Sequence, residues 1–209
     1  AMTAPNKPLA ERMRPRALAQ FVGQSHLLGP NKPLSAAIAE KQLHSMILWG
    51  PPGVGKTTLA LLLADHVDAI FESLSAVLCG VKEIRAIIER AKMSIMNGRQ
   101  TIVFVDEVHR FNKAQQDVFL PHVEAGTFIL VGATTENPGF QVNQALLSRL
   151  RVYVLNPLAI SDIITLLSHA LGAPEGLGAQ PFDCPESVLH AIARVSGGDA
   201  RAALNRLEQ

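Results

Sequence analysis

Gly50-Pro51-Pro52-Gly53-Val54-Gly55-Lys56-Thr57 is the stretch around which this chain is organised. Its spacing is G-x-x-x-x-G-K-[ST], the pattern of a phosphate-binding loop. Met46-Ile47-Leu48-Trp49 precedes it, a short apolar run that reads as a buried strand. From Lys56 onward Leu59, Ala60, Leu63, Ala64 and Val67 fall on one helical face. A strand, a tight glycine turn and a helix N-terminus aim several backbone N–H groups at one point. The helix dipole adds positive potential there, which suits a polyphosphate. Gly53 and Gly55 let the backbone curl around the anion with no Cβ in the way. Residues Gly50 to Thr58, including Val54, therefore form the predicted nucleotide cradle. Lys56 is expected to reach the β- and γ-phosphates, and the Thr57 hydroxyl to hold Mg²⁺. The plain alternative is a glycine-rich turn before an ordinary helix.

The chain has 209 residues, 48% of them hydrophobic, enough for one sizeable core or a core with a small satellite. A net charge of +1 announces no nucleic-acid binder by its overall field. Cys79 and Cys184 lie far apart, match no metal spacing, and read as reduced thiols of a cytoplasmic protein. No apolar run reaches the length of a membrane span and no secretory leader is visible. Ala1 ahead of Met2 reads as a cloning remnant. The final helical stretch, Asp199 to Gln209, carries no stop signal, so a truncated fragment is expected.

In chain order, residues 1–30 carry prolines at 5, 8, 15 and 30 and read as mostly extended, with Lys7, Arg12, Arg14 and Arg16 as a solvated basic cluster. Pro33 to Gln42 reads as a helix with Leu34, Ala37 and Ile38 inward. Ala69 to Leu74 reads as a strand. Val81, Ile84, Ile88, Ala91 and Ile95 mark an amphipathic helix ended by Asn97-Gly98. Thr101 to Val105 is a β-rich run that predicts a fully buried parallel strand. A helix is expected from Lys113 to Glu124, with Pro121 kinking or breaking it. Thr127 to Ala133 is another buried strand ending in Thr134-Thr135, Ala145 to Arg149 a short helix, and Val152 to Leu155 a last strand. The alternation predicts an α/β fold, a doubly wound parallel sheet with its ligand at the carboxyl ends of the strands. Beyond Asn156-Pro157 the pattern turns all-α. Ala159 to Leu171 and Glu186 to Val195 are helical, separated by a Gly/Pro-rich loop. The expected division is a core of 1–156 and a partial helical lid of 157–209.

Asp106 closes the buried strand, where a carboxylate can bind the Mg²⁺ that also touches Thr57. Glu107 is then free to orient and activate the water that attacks the γ-phosphate. A pair of charges capping a strand is the plain alternative. Asp106-Glu107-Val108-His109 also spells a helicase D-E-x-H box, but such a helicase needs a second nucleotide-clamping domain for which the chain has no room. His109 is thus expected at the surface or behind the site.

These motifs together resemble an AAA+ ATPase, and specifically the replication-associated recombination protein A family (RarA or MgsA), related to the eukaryotic Werner-helicase-interacting protein. The resemblance is carried by Leu43 through Gly53, Ser75-Ala76 with Gly80 through Arg85, and Phe104 through Gln116. Gly132 through Pro138 and Gly198-Asp199-Ala200-Arg201 complete it. It runs from about Pro8 to the end. The phosphate loop names only a superfamily, whereas the VHRFNK and GATTENP runs are far more specific.

The resemblance implies further roles. Arg14-Pro15 with Phe21-Val22-Gly23-Gln24 is similar to the segment lining the adenine pocket, placing Val22 and Gly23 beside the nucleotide. Thr135 falls where such ATPases keep a polar "sensor 1". Arg149, after Ser148, resembles the clamp-loader arginine that reaches the γ-phosphate of a neighbouring subunit, with Arg151 as a second candidate. Arg201 resembles "sensor 2". The implied activity is MgATP hydrolysis in replication-fork maintenance, recombination and repair. The implied partners are DNA at single-strand/double-strand junctions, single-stranded-DNA-binding protein, and further copies of the full-length chain, the fragment itself staying monomeric. A clamp-loader or branch-migration subunit, or a non-hydrolysing nucleotide-sensing scaffold, are the alternatives.

Overall fold

The computed structural model describes residues 7–179 and 183–209. Three short helices, α1 (Leu9–Arg12), α2 (Ser25–Leu28) and α3 (Pro33–Ala39), lead into the first strand. Then strands and helices alternate: β1 (Met46–Trp49), α4 (Lys56–His66), β2 (Ile70–Ser75), α5 (Val81–Met96), β3 (Thr101–Asp106), α6 (Lys113–Ala125) and β4 (Ile129–Thr134). Two short helices, α7 (Pro138–Gln141) and α8 (Gln144–Leu147), precede β5 (Arg151–Val154). The helices α9 (Ile160–Gly172), α10 (Glu186–Val195) and α11 (Ala200–Glu208) follow. The strands form one five-stranded sheet in the order β2-β3-β4-β1-β5, with every neighbouring pair parallel. The expected doubly wound α/β sheet is thus present.

Helices cover both faces, so the inner strands are apolar at consecutive positions. β4 is buried at every residue and β3 from Thr101 to Val105. Successive side chains point to opposite faces. Val103, Val105, Leu130 and Ile47 join Ile84, Ile88 and Phe119 on one side. Ile102, Phe104, Val131, Met46 and Leu48 join Leu59 and Leu63 on the other. The helix after the phosphate loop buries more than one stripe: Leu62 is buried along with Leu59, Ala60, Leu63 and Ala64, because α4 is wedged between the sheet and neighbouring segments.

Two local expectations differ from the structure. Among the described residues of the 1–30 stretch, 7–30, the chain is not simply extended: α1, α2 and a 3-10 turn at Leu18–Gln20 interrupt it. Pro8 precedes the first helical residue, where a missing N–H costs nothing. Pro5 lies outside the described residues. Pro121 sits inside α6, which runs through it to Ala125. Pro121 and Asp117 are exposed, so water can reach the carbonyl that loses its donor. Asn112 caps α6 by accepting from Gln115 N at 2.8 Å, and Gly126 ends it at φ +70°.

The helices beyond Pro157 form a third cluster, Ile163, Leu167, Leu189 and Leu204, which also takes in Leu9 and Met13 from the N-terminal segment. The Leu9 amide donates to Glu208 Oε2 at 3.0 Å, and Arg12 pairs with the same carboxylate at 3.5 Å. The loop between α9 and α10 is irregular up to residue 179, and residues 180–182 lie outside those described. Two backbone bonds place the start of α11: Leu158 N to Gly198 O at 3.1 Å, and Ala200 N to Gly53 O at 2.8 Å. Among the described residues no helix is long and apolar enough to cross a membrane.

Candidate functional site

The carboxyl ends of the central strands open into one cleft of about 720 Å³, lined in part by Pro52 to Thr58, Asp106, Glu107, Thr135 and Arg201. Ligand clefts commonly span ~300–1,000 Å³. The phosphate loop forms one wall. Gly53 and Gly55 have φ of +73° and +101°, a region L side chains avoid. A Cβ on Gly55 would come within 2.8 Å of the Phe21 ring, so that glycine answers both to its backbone and to its neighbour. The loop is pinned by Gly50 N donating to Thr134 O at 3.1 Å and Leu59 N to Gly55 O at 2.8 Å.

Lys56 Nζ donates back to the carbonyls of Gly50 at 2.5 Å and Pro51 at 2.8 Å. Burial pushes its pKa below the usual lysine value, while the carboxylates of Asp106 and Asp199 push it part of the way back. The ammonium is held half out of water by neutral acceptors. An anionic phosphate competes well for such a group, since it adds the attraction of opposite charges to a hydrogen bond that a neutral carbonyl makes without it.

Asp106 is delivered by the last position of β3 and lines the cleft with Thr57. Its Oδ1 accepts from the Glu107 amide at 3.0 Å. Glu107 has φ +54°, a conformation that costs a non-glycine residue about 1–2 kcal/mol. The strain comes from a sharp turn out of β3 into the 3-10 segment Val108–Arg110. Val108 anchors that turn beneath Gly132 of β4, where an added Cβ would lie 3.0 Å from the valine. The packing therefore holds Glu107 exposed at the cleft. Thr57 and Asp106 offer one hydroxyl and one carboxylate. This hard-oxygen set fits Mg²⁺, which keeps waters and takes its remaining donors from phosphates. Among the described residues no three His, Cys, Asp or Glu gather as a metal cage.

The two threonines ending β4 divide. Thr134 is buried, and its Oγ1 lies 2.7 Å from His109 Nδ1 and accepts from Glu136 N at 2.9 Å. Thr135 is exposed and lines the cleft. His109 thus stands half-buried behind the site, as expected, bonded to the end of the neighbouring strand.

Arg14, Pro15, Phe21 and Val22 line the far end of the cleft. Gly23, Gly50 and Pro51 stand just behind its lining. Gly23 turns at φ +84° and lies against Leu158, while Gly50 and Pro51 serve through the carbonyls that hold Lys56. Arg201 lines the cleft from the first turn of α11. Asp199 caps that helix, accepting from Ala202 N at 3.0 Å, and its carboxylate fills the space where a Gly53 side chain would stand. Arg149 is not in the cleft. It is half-exposed, pairs with Glu124 at 3.0 Å and donates to Ser148 Oγ at 2.8 Å. Arg151 opens β5 opposite Met46, at the other end of the sheet from the phosphate loop.

Some of the site carried no sequence signal. Pro8, Met13, Leu158, Leu166 and Leu204 complete the apolar end of the cleft from three distant segments. Each reads locally as an ordinary core or turn residue. Asp199 was legible as the start of a helix but not as a neighbour of Gly53.

Residues 13–143 match the family described as the Holliday junction DNA helicase RuvB P-loop domain. Replication-associated recombination protein A of Coxiella burnetii is 59% identical over 96% of this chain and 46% of its own length. The Escherichia coli protein of that name is 57% identical over 97% of this chain and 45% of its own. A Dictyostelium discoideum protein named ATPase WRNIP1 is 43% identical over 96% of this chain and 23% of its own length. The chain thus spans about half the length, or less, of these curated relatives. The solved Thermotoga maritima RuvB branch migration motor superposes with a TM-score of 0.76 at 26% identity, covering 94% of this chain and 64% of that one.

Proposed function

Because this chain belongs to the AAA+ P-loop family that includes RuvB and replication-associated recombination protein A, we propose that it binds MgATP and hydrolyses it to ADP and phosphate. The observation carrying this reading is one cleft that gathers Lys56, Thr57, Asp106, Glu107, Thr135 and Arg201 from four separate segments. The polyphosphate lies along Pro52 to Thr58, and the adenine takes the apolar end beside Val22. Lys56 leaves the carbonyls of Gly50 and Pro51 for the β- and γ-phosphate oxygens. Thr57 and Asp106 hold Mg²⁺, which when bound neutralises the phosphate oxygens. Glu107 takes a proton from the attacking water as its oxygen bonds to the γ-phosphorus and the bond to the bridging oxygen of ADP breaks. Thr135 positions that water, and Arg201 draws the helical lid over the phosphates. The division at 156/157 makes α9–α11 this lid, with α1 riding on it.

Arg149 acts on a neighbour's nucleotide. Its position outside its own cleft, half-exposed beside Glu124, supports a role across an interface, with Arg151 the alternative. The full-length protein then assembles head to tail, and the fragment turns over slowly as a monomer. The relatives' names support a role in replication-associated recombination. The proposal adds the cytoplasm as its place, and DNA junctions and single-stranded-DNA-binding protein as partners. The test is nucleotide binding by Lys56→Ala. A folded variant should lose most ATP affinity, and undiminished binding would remove the phosphate loop from the account.

A further inference from the structure

On the sheet end that carries the cleft, a second, open depression of about 560 Å³ lies between the start of α6 and the α7–α8 segment. Phe140 stands on its rim with 85% of its surface exposed. Single exposed apolar residues are ordinary, but this one is held out by its surroundings. Pro138 and Val142 take the buried positions on either side. Asn137 Oδ1 accepts from Gly139 N at 3.0 Å, and Val142 N donates to Pro138 O at 2.9 Å. Below, Gln116 is spent, donating to Phe111 O at 2.9 Å and accepting from Asn143 N at 2.8 Å. The ring is presented on a hydrogen-bonded turn at the edge of the open depression.

Around it the chemistry is cationic and amide-rich. Lys113 and Gln144 line the same depression. The 3-10 turn bearing Arg110 packs against α7. Lys113 and Arg110 are exposed, and among the described residues neither enters an ion pair, although Asp117 and Glu136 are near in sequence. An accessible aromatic face, two uncommitted cations and a free amide form a set that a single-stranded nucleic acid satisfies. The base stacks, the phosphates take the charges, and the amide meets a base edge.

We propose that Phe140, Lys113 and Arg110 form a contact point for one unpaired nucleotide of a single-stranded nucleic acid. The proposal rests on the reading that the full-length protein acts on DNA, and it adds where an unpaired base is held. The contact lies beside the turn that presents Glu107, since Val108–Arg110 joins that residue to α7. Strand binding therefore bears directly on the segment that positions the water-activating carboxylate.

The test uses full-length protein and an oligothymidine carrying one 2-aminopurine, whose fluorescence is quenched by stacking. Phe140→Ala should weaken binding by about five- to a hundredfold and abolish quenching, and Phe140→Tyr should restore both. Lys113→Ala should keep the quenching and lower the slope of log affinity against log salt by about 0.7. ATP turnover without DNA should be unchanged in Phe140→Ala. Wild-type binding and quenching by Phe140→Ala, with the wild type itself binding, overturns this proposal alone. If the wild type binds no strand, the DNA reading and this proposal fall together. A Phe140→Ala variant that sediments as smaller assemblies yet binds the strand normally overturns it in favour of a contact between copies of the chain.

Discussion

Replacing Gly53 by alanine tests how the lid meets the phosphate loop, with Gly126→Ala as its control. Both glycines are left-handed, at φ +73° and +70°, so both substitutions carry the same backbone penalty. That penalty is about 1–2 kcal/mol, offset by roughly 0.4–1 kcal/mol from the stiffer unfolded chain. Nothing lies within 4 Å of a Cβ built on Gly126, whereas one built on Gly53 falls on the Asp199 carboxylate. Moving Asp199 removes the cap of α11, worth about 1 kcal/mol, and strains the bond from Ala200 N to Gly53 O, worth about another. Gly53→Ala should therefore destabilise the chain by about 2 kcal/mol more than Gly126→Ala, some 4–8 °C in melting temperature. Asp199→Ala closes the cycle: with the carboxylate gone, the cost of Gly53→Ala should shrink to the backbone penalty. Urea and thermal unfolding of the four variants provide the assay. Equal stabilities for the two glycine variants, or strict additivity with Asp199→Ala, would refute a lid seated on the phosphate loop.

Phe119 is fully buried, with ring centroids 5.3 Å from Phe111 and 5.7 Å from Phe128, so Phe119→Ala should cost about 3–5 kcal/mol in calorimetry. His44 and His122 both lie below the ordinary histidine value of 6.5, chiefly because burial disfavours the charged form, with Arg151 and Lys92 adding repulsion. The unfolded chain then protonates first, so their contribution should be intact above pH 6.5 and lost as pH falls through the folded values. Urea unfolding in mildly acid buffer should show a smaller loss in a His44→Gln/His122→Gln variant, and an unchanged pH slope would contradict it. Full-length Arg149→Ala should bind ATP normally and lose DNA-stimulated turnover. Mixing it with full-length Lys56→Ala should return some activity, and steady-state turnover at wild-type rate by Arg149→Ala alone would contradict action across an interface.

The sheet was legible because its strands are short apolar runs bounded by glycine, asparagine or charge, and because the phosphate loop fixes what precedes and follows it. Met46–Trp49 and Thr101–Asp106 needed no tertiary information. Helices α1 and α2 were not, since four-residue helices are set by what they dock on, and Leu9 owes its burial to helices about 150–200 residues away. Pro121 does not break α6, because propensity describes an isolated helix, while Phe119 and Val123 on the buried face hold α6 together across the missing bond. At the site, residues that act through charge at strand ends could be read directly. The apolar end of the cleft could not, because Met13, Leu158 and Leu204 come together there only when the N-terminal segment and the helices beyond Pro157 pack over the sheet.

The most direct test of the central claim is steady-state MgATP turnover by the full-length protein and its Glu107→Gln variant, with nucleotide binding measured on the same samples. Glutamine keeps the shape at φ +54° and removes the base. Binding should persist while turnover falls by about a hundredfold or more, with ATP trapped unhydrolysed. Near-normal hydrolysis by Glu107→Gln would contradict the account.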